Sequence, residues 1–60
     1  MTLDEKITDA LAKPTFDEQW EAMREIVKGP DFREFMCHPN VKKWLYRNTK
    51  AINAKGLPYG

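Results

Sequence analysis

At 60 residues the chain has material for one core and no second domain, because so short a polypeptide buries only about 60% of its unfolded surface. Its single cysteine, Cys37, excludes an internal disulfide and fits a reducing compartment. The formal net charge of +1 conceals a division: nine acids face five bases up to Glu34, a net −4, whereas five bases and no acid follow, a net +5.

The opening residues alternate charged and apolar side chains, which does not resemble a secretory signal, and no apolar run approaches the roughly 20 residues that span a bilayer. We therefore expect a protein of the cytoplasm, or of the host cytoplasm or virion if the source is viral, with no membrane partner. A short chain of this economy suits a virus or phage.

Four helices are predicted in chain order. The first, over 3–12, places Leu3, Ile7, Ala10 and Leu11 on one stripe. Thr2 and Glu5 have the spacing of a capping box at its start, and Lys13-Pro14 stop it. The second, over 16–28, repeats the Thr–Glu spacing with Thr15 and Glu18. It aligns Phe16, Trp20, Met23, Ile26 and Val27 against an outer acidic face of Asp17, Glu18, Glu21 and Glu25.

A short third helix, over 32–37, has Asp31 and Glu34 as its cap pair and turns Phe32, Phe35 and Met36 inward. The fourth, over 40–54, follows His38-Pro39-Asn40, with Pro39 tolerated in the first turn and Asn40 as cap. At 100° per residue Val41, Trp44, Leu45, Asn48 and Ile52 share its inner side. Lys43, Tyr46 and Lys50 lie opposite, flanked by Lys42, Arg47 and Asn53. Asn48, alone among apolar neighbours, requires hydrogen-bond partners. Gly56 suits a left-handed cap, and Pro58 forbids further helix.

No stretch shows strand alternation, so the fold expected is all-α: a compact bundle forming one domain over 1–56, with a short tail over 57–60. Phe16, Trp20, Phe32, Phe35 and Trp44 are expected in the core. Met23, Ile26, Met36 and Leu57 are candidates for an exposed patch, since four short helices have little room to hide them.

Chemistry finds little support. Cys37 and His38 are one of each and adjacent, without the paired spacing of a zinc site, so no metal is expected. Cys37 reads as a small buried apolar residue, and His38 as a helix-capping group. No nucleophile–base arrangement and no glycine-rich phosphate loop occurs, so neither enzymatic activity, a cofactor nor a small-molecule substrate is expected.

The basic segment is the feature with a functional edge. Lys42, Lys43, Tyr46, Arg47, Lys50 and Asn53 form a candidate docking face, and Asp17, Glu18, Glu21 and Glu25 a second, acidic one. The favoured reading is a protein–protein interaction module, an adaptor, inhibitor or structural subunit, whose partner is another protein or a second copy. The alternative is a nucleic-acid-binding accessory or regulatory protein, with residues 32–54 outlining a helix-turn-helix. Lys42, Lys43, Arg47 and Lys50 would then meet phosphates, Arg47 or Asn53 base edges, and Tyr46 a sugar or base. The turn lacks glycine, and the pI of about 7.9 is below that of a dedicated nucleic-acid binder.

Overall fold

The computed structural model describes residues 2–59. Met1 and Gly60, the outer residues of the expected domain and tail, lie outside the described residues. Helix α1 (Leu3–Leu11) starts at Thr2, whose hydroxyl accepts the Glu5 backbone N–H at 3.2 Å, while the Glu5 carboxylate accepts from the Thr2 backbone. Helix α2 (Phe16–Val27) starts at Thr15, whose hydroxyl accepts the Glu18 N–H at 3.2 Å. Both threonines have extended backbone, the conformation that swings a cap oxygen over the first turn.

Helix α3 (Phe32–Cys37) departs from expectation at its start. Asp31, at φ −93° and ψ 19°, is not extended and makes no side-chain cap bond. Its carboxylate instead lies 3.9 Å from the Lys6 ammonium of α1. Thr15→Ala should therefore cost about 1 kcal/mol of stability, and Asp31→Ala about 0.5 kcal/mol or less, the worth of an exposed pair. Urea unfolding followed by circular dichroism compares the two; equal losses would contradict the assignment of caps.

Helix α4 (Pro39–Arg47) is capped by His38 and not by Asn40. The imidazole Nδ1 accepts the Asn40 N–H at 3.2 Å, and Pro39 occupies the first turn. The turn between α3 and α4 is thus a single residue, His38, shorter than the His38-Pro39-Asn40 connection expected. The predicted helix over 40–54 is in fact two: α4, then α5 (Thr49–Lys55), separated at Asn48, which sits at φ −109° and ψ 27°. Two side chains compete for carbonyls of the last turn of α4, the Trp44 carbonyl also keeping its bond from the Asn48 backbone N–H at 3.1 Å. The Asn48 amide donates to Trp44 O at 2.8 Å, and the Thr49 hydroxyl is 2.7 Å from Tyr46 O and 3.3 Å from Leu45 O. This is the competition by which Asn and Thr weaken helix interiors, and it answers the partner requirement of Asn48. Gly56, at φ +104°, then ends α5 in a conformation costly for residues with a Cβ.

The core holds Ile7 and Ala10 of α1, Trp20, Met23 and Ile26 of α2, Phe35 of α3, Val41 and Trp44 of α4, and Ile52 of α5. α1 lies along α2, and α3 touches both α2 and α4. With α1 covering its flank, the α2 stripe is closed on both sides, so Met23 is fully buried and Ile26 nearly so. The expected patch of Met23, Ile26, Met36 and Leu57 therefore does not form; Met36 is half-buried and only Leu57 is exposed. Phe32 is also displaced from the expected core, at 40% exposure, and meets the Tyr59 ring edge-on at 6.1 Å. Pro58 is buried. Cys37, expected inside, is exposed, because the six-residue α3 has room for one fully buried side chain and Phe35 fills it. No strand occurs among the described residues.

Candidate docking faces

Trp44 roots the basic face. Its ring stacks on Phe16 of α2 with centroids 5.6 Å apart and planes 11° from parallel. Its indole N–H donates to Gln19 Oε1 at 3.0 Å, and the Gln19 amide in turn donates to Lys13 O at 3.1 Å, with Leu11 O at 3.4 Å. One side chain thus satisfies carbonyls left open beyond α1 and ties them to α4. Gln19 escaped the sequence reading; its only signal was an amide at the edge of the α2 apolar stripe, three residues after Phe16.

On the opposite side of that helix the expected basic residues are all exposed: Lys42, Lys43, Tyr46, Arg47, Lys50 and Asn53. Tyr46 stands out at 85% exposure. The break at Asn48 divides the face. Tyr46, Arg47 and Lys50 line a notch of about 560 Å³ at the bend, whereas Lys43 and Arg47 border a groove of about 410 Å³ with Asn40, Asn48 and Trp44. Lys42 and Asn53 line neither of these two grooves.

The two charged halves of the chain do meet, at Trp20. The Lys55 ammonium lies 4.8 Å from the centre of the Trp20 ring and 3.5 Å from the Asp17 carboxylate, and the Arg24 guanidinium approaches the same ring at 5.5 Å. The Trp20 indole donates to Gly56 O at 2.8 Å, so this cluster holds the end of α5 against α2. Lys55 alone is engaged in this way. Among the described residues Lys42, Lys43, Arg47 and Lys50 have no carboxylate within 4.0 Å.

The acidic face is assembled as expected on the outside of α2. Asp17, Glu18, Glu21 and Glu25, with Lys13 and Ala22, line a shallow open groove of about 380 Å³. Asp17 is held by Lys55, and Glu25 lies 3.7 Å from Lys28 one turn on. Glu18 and Glu21 make no ion pair among the described residues.

His38 is committed to structure at both ring nitrogens. Nδ1 accepts the Asn40 N–H, so in this arrangement the ring proton sits on Nε2, which donates to the Asp4 carboxylate at 2.7 Å. The ring therefore fastens the α3–α4 corner to the first turn of α1. Among the described residues no three His, Cys, Asp or Glu side chains gather as metal ligands. No described helix is long and apolar enough to cross a membrane.

Fold and surface together define the class: a small all-α bundle, of five short helices among the described residues, with an acidic and a basic outer face. Compared with protein-family models, with curated proteins and with solved structures, the chain matches none.

Proposed function

We propose that the protein is a non-enzymatic interaction module, an adaptor, inhibitor or structural subunit, that docks on an acidic protein surface through Lys42, Lys43, Tyr46, Arg47 and Lys50, with Asn53 at the margin. One observation carries this reading: four cations with no carboxylate within 4.0 Å among the described residues flank a tyrosine that is 85% exposed. Tyrosine and arginine are the residues from which interface hot spots are built, since a large ring is buried there at little entropic cost. Unpaired cations around it speed encounter with an acidic surface and reject a basic one. The unpaired, exposed thiol of Cys37 suits a reducing compartment such as the cytoplasm.

A second reading draws on the same tyrosine. An exposed ring beside Arg47 and Lys50 is also the arrangement on which a nucleic-acid base stacks while its phosphates are neutralised.

Affinity capture from the source cell, with and without nuclease, separates the two. The wild type should retain a protein in a nuclease-resistant, salt-sensitive manner, and Lys43→Glu combined with Lys50→Glu should lose it. Recovery of nucleic acid alone would replace the first reading with the second. Protein capture indifferent to the double substitution would overturn both uses of this face.

A further inference from the structure

We infer that the basic face docks on a second copy of this chain: Tyr46, ringed by Lys42, Lys43, Arg47 and Lys50, seats in the groove that Asp17, Glu18, Glu21 and Glu25 form around Ala22 on the neighbouring molecule. This rests on the docking reading above and names its partner.

Shape and charge agree. The centre of the basic face is a projecting ring, 85% exposed, and the centre of the acidic face is a depression of about 380 Å³. Four cations border the first; four carboxylates line the second, with Lys13 as the one cation among its lining residues, which leaves it net acidic. Among the described residues neither set is neutralised by the other; Asp17 pairs with Lys55 and Glu25 with Lys28, both outside the basic face. Glu18 and Glu21, which make no ion pair among the described residues, remain for a neighbour's cations. Exposed ion pairs contribute little individually, so the tyrosine supplies the affinity and the charges supply register and selectivity.

Among the described residues the same contact is not made inside one molecule. The inner faces of α2 and α4 meet in the core through the Phe16–Trp44 stack and the Gln19–Trp44 hydrogen bond. The groove around Ala22 and the notch at Tyr46 share no lining residue, and among the described residues no carboxylate of the acidic face lies within 4.0 Å of Lys42, Lys43, Arg47 or Lys50, so these charges are left to pair between copies. Each contact then joins unlike faces, head to tail, and leaves one acidic and one basic face open at the ends. Such a contact does not close as a two-fold dimer; it extends as a row or closes as a ring.

Sedimentation velocity across a range of protein concentrations tests this at about 0.02 M and about 0.5 M salt, which places the screening length well above and well below the span of the contact. In low salt the average mass should rise with concentration beyond that of a dimer, and in high salt it should fall to the monomer. Tyr46→Ala should weaken association about thirtyfold or more, the loss that marks a hot-spot side chain.

Lys43→Glu with Lys50→Glu takes the basic face from +4 to neutral and leaves the acidic face intact, and Glu21→Lys with Glu25→Lys takes the acidic face from −4 to neutral and leaves the basic face intact. Each variant alone should stay monomeric, and an equimolar mixture should associate again. All substituted residues are exposed, and circular dichroism verifies that the variants remain folded.

A wild type that stays monomeric in low salt, or a mixture that fails to associate, overturns the proposal. If the wild type is monomeric while the Lys43/Lys50 variant still loses a captured acidic protein, self-docking falls and the docking reading stands. If the wild type associates and the Lys43/Lys50 variant associates equally, both fall.

Discussion

Phe35→Ala should leave the chain largely unfolded at room temperature. Phe35 is fully buried and is the one fully enclosed side chain of the six-residue α3. Removing its ring opens a cavity and forfeits transfer free energy, together about 3–5 kcal/mol for a buried Phe→Ala change. A chain of this length has roughly 3–9 kcal/mol of total stability, so the loss equals much or all of it. Phe32→Ala, three residues earlier, is the control. Its ring is 40% exposed and touches Tyr59 only edge-on, so about 1 kcal/mol or less is at stake. Thermal unfolding by circular dichroism compares them, and similar melting temperatures for the two variants would refute this division of labour within α3.

The second large effect is expected at Trp44, where two substitutions separate packing from hydrogen bonding. Trp44→Ala removes the stack on Phe16 and most of the inner face of α4, at a cost of about 3–5 kcal/mol. Trp44→Phe keeps an aromatic ring against Phe16 but leaves Gln19 Oε1 without its donor. An orphaned acceptor costs about 1–3 kcal/mol, and the lower end applies because Gln19 is only half-buried and water reaches it. Combined with Gln19→Ala, the loss should be smaller than the sum of the two single losses, since both remove the same bond. Additive losses in urea denaturation would show that the Gln19–Trp44 bond contributes nothing. Because the Trp44 ring is buried while Tyr46 stands 85% exposed, Trp44→Phe should leave self-association unchanged while it remains folded, which separates the role of the inner face from that of the outer one.

Much of the fold could be read before the structure, for a reason that is local. Thr2 and Thr15 act on backbone groups three residues away, Gly56 acts on its own dihedral angle, and the stripes Ile7–Ala10 and Trp20–Met23–Ile26 follow from helix geometry alone. The membership of the two charged faces was readable on the same ground. Positions opposite an apolar stripe face solvent whatever the stripe packs against, and Glu21, Lys43 and Tyr46 do so.

The readings that failed depended on what lies across from a residue. Asp31 has the spacing of a cap, but the path of the chain from α2 turns it toward Lys6 instead. Phe32 and Phe35 are alike in sequence; the placement of α2 and α4 against α3 buries one and leaves the other at the edge. Met23 and Ile26 looked surplus until α1 lay along α2.

The division at Asn48 is intermediate. The Asn-Thr pair carries the chemical capacity to compete for helix carbonyls, but whether it does so depends on α5 being drawn toward α2, where Trp20 holds Gly56 O and Lys55. Sequence by itself determined the helices, their stripes and the sign of each outer face, because caps and periodicity act within a turn or two. Tertiary structure alone decided which apolar residues are enclosed, how the basic face is notched at the bend, and that Lys55 alone of the C-terminal cations is drawn to an acid of α2, because each of these depends on side chains brought together from distant parts of the chain.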